Sequence, residues 1–231
     1  LYSFNFDQSH HNRSIRYQRP RNLHVDIDLC ARIGRISYMQ PATLVWYRRD
    51  LRVLDHEALT HACDQGTPVF ALYVYETNPS HGRAMGGATR WWLHHSLDAL
   101  RSDLSKLNIK LILKRGATAE MVAQTATEVG ATTVHAMAVH EPAEAEQVVR
   151  VEERLRRDGR TLAIAGGNLL HPPGTIRNKQ GGGYKVFTPY WKFWRTFNPS
   201  APLPVPSPVA VSSTECASDN LDAWHLLPSK P

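Results

Sequence analysis

LVWYRRDLRVLDHEAL, residues 44–59, decides how the chain is read. An apolar run, Leu44 to Tyr47, gives way to Arg48, Arg49, Asp50, Arg52 and Asp55, and then to a helical pattern. A short run of β-branched, aliphatic and aromatic residues closed by turn and charge signals predicts a buried strand, and the helix behind it predicts the first half of a strand-helix-strand unit. The charges then fall on the loop at the strand's carboxyl end. Two explanations stand side by side: they solvate a loop, or they form the mouth of a ligand crevice.

Working outward from this stretch, the pattern repeats from residue 42. Strands are expected over Thr43–Tyr47, Pro68–Tyr75, Ile109–Lys114, Thr132–Ala138 and Arg160–Ala165, all short apolar runs. Helices are expected between them. The first opens at Asp55 as N-cap and ends near Gly66. The longest covers Ala88–Leu107, where Leu93, Leu97, Leu100, Leu104 and Leu107 recur every three or four residues and mark one buried face. Ala117–Val129 is closed by Gly130, and Pro142–Asp158 has proline in its first turn and Gly159 at its end. Strands alternating with helices pair in parallel through right-handed crossovers. The expected architecture is therefore α/β, a doubly wound, Rossmann-like five-stranded parallel sheet with helices on both faces.

Past the fifth strand, Gly166–Gly183 is a loop rich in Gly, Pro and Asn, and Thr188–Phe197 is an aromatic helix with Thr188 as its expected N-cap. Asn198–Ser213 contains APLPVPSPV, which favours an extended, polyproline-like spacer, and the tail carries one apolar cluster, Leu221, Trp224, Leu226 and Leu227. The division expected is a disordered leader or spurious extension over 1–40, an α/β domain over 41–197 and a Pro-rich linker over 198–231. Met39 is a candidate start.

Composition limits the function classes. The chain has 231 residues, 42% of them hydrophobic, enough for a core, and no run approaches the roughly 18 apolar residues of a membrane span. Three cysteines, Cys30, Cys63 and Cys216, stand far apart in no metal-ligand spacing, which points to a reducing, cytoplasmic home. The Arg-rich leader has a faint look of an organelle transit peptide, but its three aspartates and scarce serine speak against one. The net charge is +6, yet residues 1–40 hold six arginines against three aspartates, so the remainder carries only 21 basic and 18 acidic side chains. That balance neither shows nor excludes a phosphate-binding face.

The candidate site residues follow from the fold. In a doubly wound sheet, ligands bind beyond the carboxyl ends of the strands. Arg48, Arg49 and Arg52 lie beyond the first strand, and guanidinium groups grip carboxylate or phosphate with a planar fork. Glu141 lies beyond the fourth strand, where a carboxylate accepts hydrogen bonds from ring N–H or amino groups, although helix N-termini favour glutamate whatever the function. Several signatures are missing: no G-x-G-x-x-G follows the first strand, and there is no P-loop, no HExxH and no Ser/His/Asp ordering. The run YKVFTPYWKFW, 184–194, reads as a base-stacking platform or, more often for such runs, as a packing interface. Trp91 and Trp92 read as core or as a domain contact.

Beyond composition and spacing, the residues resemble a family, the photolyases and cryptochromes, and in particular its N-terminal α/β domain. VWYRRDLRVLDHEAL is similar to the family's opening signature, with Trp46, Arg48, Arg49, Asp50, Leu51, Arg52, Asp55, Ala58 and Leu59 in place and His56 where asparagine is commonest. Arg90 with Leu93, Ser96, Leu97 and Leu100, the pair Glu141-Pro142, GGGYKVFTPYWKFW and LDAWHLLPSKP extend the likeness over about residues 42–231. The resemblance implies an antenna-chromophore domain of a class I deoxyribodipyrimidine photolyase, an enzyme that splits cyclobutane pyrimidine dimers in DNA with an electron from a light-excited reduced flavin. The alternative in the same family is a cryptochrome-type photoreceptor module; a third, outside it, is an unrelated nucleotide-binding α/β domain. The implied antenna is a methenyltetrahydrofolate or an 8-hydroxy-deazaflavin, with Val139 standing where some deazaflavin binders have aspartate. FAD is implied only in a helical domain that this chain lacks. The implied partners are that helical domain, in cis or as a separate chain, and damaged DNA through the full-length protein, with no membrane. Glu141 is the implied chromophore contact, Arg48, Arg49 and Arg52 line the same side, and Trp46, Asp50 and Asp55 are expected to be structural. The fragment is expected to be inactive in repair on its own.

Overall fold

The structure, a computed structural model, describes residues 41–76 and 84–228. The expectations for residues 1–40, including the start at Met39, lie outside the described residues. Five strands, β1 (Ala42–Tyr47), β2 (Val69–Tyr75), β3 (Lys110–Arg115), β4 (Ala131–Met137) and β5 (Thr161–Ala165), form one sheet in the order β3-β2-β1-β4-β5. Every neighbouring pair is parallel. Helices α1 (Glu57–Cys63), α2 (Gly87–Ser105), α3 (Thr118–Glu128) and α4 (Pro142–Arg157) connect the strands, and α5 (Phe187–Trp194) follows. The doubly wound α/β sheet read from the sequence is the fold.

Its causes are visible strand by strand. All six residues of β1 are buried, because both faces of the sheet are covered. Val45 and Tyr47 pack with Leu59 and Ala62 of α1 and with Leu93, Leu97, Leu100 and Leu104 of α2. Leu44 and Trp46 point the other way, into a layer with Val122 and Ala126 of α3 and Val151 and Leu155 of α4. Each fully buried leucine of the α2 stripe contributes about 2 kcal/mol relative to an exposed one.

Chain direction fixes where a crevice opens. From β1 the chain winds outward through β2 to β3, then returns to the other side of β1 as β4. Helix α1 leaves β1 toward one face and α4 leaves β4 toward the opposite face. The loops beyond the carboxyl ends of β1 and β4 therefore diverge, which is the topological switch point of this architecture.

Two expected helix starts move. Asp55 sits in the left-handed region at φ 53°, and His56 is the N-cap of α1, its Nδ1 accepting from the Leu59 N–H at 3.0 Å. Helix α5 begins at Phe187, with Val186 rather than Thr188 preceding its first turn. His56, at the position where asparagine is commonest in the family's signature, is fully buried.

The Pro-rich segment read as a spacer is strapped to the domain. Asp55 and Leu203 exchange two hydrogen bonds, each 3.0 Å, one from backbone to backbone and one from the Leu203 N–H to the Asp55 carboxylate. The Val209 N–H donates to the Leu107 carbonyl at 3.0 Å. Along β3, which is an edge strand, the Leu113 N–H donates to Ser218 Oγ at 2.9 Å and its carbonyl accepts from the Asp219 N–H at 2.8 Å, so backbone groups on that edge are satisfied by the chain itself. Leu221, Trp224 and Leu226 then enter the α1/α2 core layer, with the Trp224 ring stacked 5.2 Å from Tyr75 and its Nε1–H donating to Asp219. Cys216 is fastened too: burial, with Glu128 beside it, pushes its thiol up to about 12, so it stays protonated and donates a hydrogen bond to the Glu128 carboxylate. Among the described residues no helix is long and apolar enough to cross a membrane.

Candidate functional site

Each charged residue after β1 has its own geometry. Arg48 lies against the buried Trp46, its Cζ 4.5 Å from the indole centroid, and its Nη2 donates to the Met137 carbonyl at the end of β4. The guanidinium therefore bridges the two strands that flank the switch point. Its Nε and Nη1 are buried with no hydrogen-bond partner among the described residues. Burial lowers its pKa, against the opposing pull of Asp50 and Glu144.

Asp50 is buried. One carboxylate oxygen accepts from the Arg48 N–H at 2.9 Å and the other lies 2.9 Å from His56 Nε2. Because His56 Nδ1 accepts the helix-capping N–H, the ring proton sits on Nε2 and faces this carboxylate. Burial on its own would raise the Asp50 pKa, but the His56 ring and the backbone N–H donors more than offset it and the net shift is downward. The His56 ring also packs 4.7 Å from Tyr47, so one buried imidazole caps α1, pairs with Asp50 and fills space under the loop.

Arg49 turns the other way, across the crevice to α4. Its Nη1 donates to Glu141 Oε1 at 2.7 Å and its Nε lies 2.5 Å from Glu144 Oε1. Glu141 precedes Pro142 and Glu144 follows three residues later, so both carboxylates rise from one face at the helix N-terminus. Arg52 is fully engaged elsewhere: Nε reaches the Leu54 and Asp55 carbonyls at 3.1 Å, Nη2 reaches Asp55 at 2.8 Å, and Nη1 donates to Asn168 Oδ1 at 3.0 Å.

Together these residues frame a cleft of about 210 Å³ lined by Arg48, Arg49, Asp50, Glu141, Glu144 and Asn168 at its polar positions, with Met137, Val139 and Leu169 supplying apolar wall. Arg48, Arg49 and Glu141, expected from the sequence as site residues, come together there; Arg52 stands behind Asn168 and does not line the cleft. The lining holds two guanidinium groups against three carboxylates. The picture of an arginine-rich rim matched to an anionic ligand is therefore revised: the Arg49 charge is already paired, and the wall is mixed. A volume below the ~300–1,000 Å³ of pockets that enclose a whole drug-sized ligand suits one end of an extended heterocycle. The ingredients fit such a guest: a buried guanidinium with two donors left unpaired, carboxylate acceptors and apolar wall.

Sequence reasoning missed Glu144 and Asn168. Glu144 was findable, being one helical turn after Glu141. Asn168 follows β5 in an aperiodic loop that carries no such signal. Gly166 sets the course of that loop at φ +48°, and a Cβ there would collide with the Glu57 carboxylate, so only glycine suits the position. The aromatic run proves largely uncovered: Phe187 is 71% exposed, α5 has no buried residue, and Leu169, Leu170, Trp191 and Phe193 extend the apolar surface. Trp91 and Trp92, read as core or a domain contact, are exposed and outside the core. Among the described residues no cluster of His, Cys, Asp and Glu could hold a metal ion.

Comparison with known proteins gives a consistent result. The family model described as DNA photolyase matches residues 43–208. A deoxyribodipyrimidine photo-lyase of Agrobacterium fabrum is 36% identical over 197 residues, 85% of this chain and 40% of that protein. Cryptochrome-1 of Arabidopsis thaliana is 28% identical over 78% of this chain and 27% of its own length. The crystal structure of a bacterial class III photolyase from Agrobacterium tumefaciens superposes with a TM-score of 0.76 at 36% identity, covering 86% of this chain and 41% of that one. An archaeal photolyase from Sulfolobus tokodaii, described with two FAD molecules and an implied light-harvesting cofactor, shares the fold at a TM-score of 0.67 and 16% identity. The chain thus spans about two-fifths of the length of the bacterial photo-lyase it resembles.

Proposed function

Since the chain belongs to the DNA photolyase family, whose members bind antenna chromophores and FAD, we propose that it is the α/β half of a deoxyribodipyrimidine photolyase and that the cleft between β1 and β4 seats the antenna chromophore. The observation that carries this reading is the meeting of Arg48, Arg49 and Glu141 at the switch point, around an opening large enough for one end of an extended heterocycle. When bound, a methenyl-folate or deazaflavin supplies absorption of near-ultraviolet and blue light and passes the excitation on through space.

The chain's own residues have binding roles. Glu141 offers its second carboxylate oxygen to ring N–H or amino groups. Arg49 fixes the Glu141 and Glu144 carboxylates in position. Arg48, held over Trp46, leaves two donors that an acceptor could satisfy if the ligand displaces the side chain slightly. No bond is made or broken in this half. Dimer splitting, FAD and damaged-DNA binding belong to a helical portion, in cis or as a separate chain, which the exposed aromatic face of α5 and Leu170 suits as a docking partner. Repair is preferred to photoreception because the bacterial photo-lyase match is closer and longer, 36% over 85% of the chain against 28% over 78% for the plant cryptochrome.

The test is direct titration. Methenyltetrahydrofolate and 8-hydroxy-deazaflavin are added to the purified chain, and ligand fluorescence and absorption are followed. At least one ligand should show quenching and a shifted band, and Glu141→Ala should weaken binding about tenfold, the loss of a hydrogen bond to a charged group. Unchanged spectra for both ligands overturn the proposal.

A further inference from the structure

Asn168 is a polar residue of the cleft whose side chain is oriented by a residue outside it, Arg52. The Arg52 side chain carries only donors, so the amide atom 3.0 Å from its Nη1 must be the oxygen. Arg52 cannot swing away freely, because its remaining donors are tied to the Leu54 and Asp55 carbonyls. Asp55 is in turn pinned by its two hydrogen bonds to Leu203. With its oxygen turned to Arg52, Asn168 has its two Nδ2 hydrogens left to offer as donors. Across the same cleft, Glu141 offers only acceptor oxygen. A donor on one wall and an acceptor on another match a ring edge that carries a carbonyl beside an N–H.

We propose that Asn168 is a ligand-contacting, specificity-determining residue that reads the carbonyl of a lactam or imide edge, and that Arg52 is its positioning residue. This rests on the reading of the cleft as a heterocycle site. It assigns Arg52 a different part from the direct ligand contact expected of it: it acts through Asn168, and its charge is never presented to the ligand. It also accounts for the mixed electrostatics of the wall, since a lactam edge is neutral and needs alternating donors and acceptors rather than net positive charge.

The experiment uses two neutral three-ring probes of similar shape on the full chain. Riboflavin has an imide edge, and phenazine has no carbonyl. Dissociation constants are taken from riboflavin fluorescence quenching and from phenazine competition. Riboflavin should bind more tightly. Asn168→Ala and Asn168→Asp should each weaken riboflavin about fivefold, the value of one neutral hydrogen bond, and leave phenazine unchanged. Asn168→Asp keeps the size and the Arg52 pairing while removing the donor, so it isolates that donor. Arg52→Ala should reproduce the riboflavin-selective loss, and adding Asn168→Ala to it should cost nothing more. A loss in Arg52→Ala that is equal for both probes marks a purely structural role and overturns the positioning assignment. If Glu141→Ala weakens riboflavin while both Asn168 variants leave it unchanged, the cleft reading stands and this inference falls. If neither probe binds at all, this inference falls, while the cleft reading is decided by the folate and deazaflavin titration.

Discussion

Asp50 shows how much a single buried residue of the cleft wall carries. Its carboxylate is 3% exposed, yet it is held ionised by the Arg48 N–H and the His56 ring. Removing one partner of a buried pair leaves the other without compensation. Asp50→Ala should therefore destabilise the domain by about 3 kcal/mol, read as a lower urea midpoint with an unchanged slope. The pH dependence follows from the downward net shift. The unfolded carboxyl binds protons at higher pH than the folded one, so the contribution of Asp50 is complete above its ordinary range near pH 4 and is lost as pH falls through the depressed folded value. Urea titrations between pH 6 and pH 2 should show a steep acid loss for the unmodified chain and a flatter one for Asp50→Asn. An equally steep loss in the variant would place the acid sensitivity elsewhere. His56 explains why this corner was misread. Asparagine or aspartate is the usual helix cap, so Asp55 was the natural choice from sequence, but the strap's claim on Asp55 turns its backbone left-handed and hands the capping role to the imidazole that follows.

At the scale of elements, the parts legible in the sequence are those decided by local periodicity. β1 and β2 read as strands because burial on both faces makes them continuous apolar runs, and α2 reads as a helix because one leucine stripe faces the sheet. The strap was not legible. Prolines set its extended conformation, but what holds it down is a set of partners far away in sequence: Asp55, Leu107, Leu113 and Tyr75. The same limit hid Asn168, whose orientation comes from Arg52, 116 positions earlier. The strap's contribution can be measured. Trp224 is 5% exposed between Tyr75 and the Asp219 carboxylate, and Trp224→Ala should cost about 3 kcal/mol, whereas Leu227→Ala, at a 41% exposed position, should change stability by less than about 0.5 kcal/mol. Equal effects on the urea midpoint would show that the segment is laid on the surface rather than built into the core.

At the scale of the whole molecule, the described residues include two unlike surfaces, a mixed-charge cleft and a broad aromatic face around α5. An apolar face of this kind marks an association site. Sedimentation velocity should detect concentration-dependent self-association of the chain alone, and Phe187→Glu with Leu170→Glu should suppress it while leaving stability within about 0.5 kcal/mol, since both positions are exposed. The same pair should abolish complex formation with a separately expressed piece of the related Agrobacterium photo-lyase that this chain does not cover; retained binding would put the docking site elsewhere. The strap has a temporal consequence as well. Strand β2 is synthesised some 150 residues before Trp224, the side chain that stacks on Tyr75. On the ribosome, the α1/α2 layer therefore waits with an open seam while the intervening residues are made, and chains halted near residue 200 should be cut readily by protease, while those extended beyond Leu226 close and become resistant.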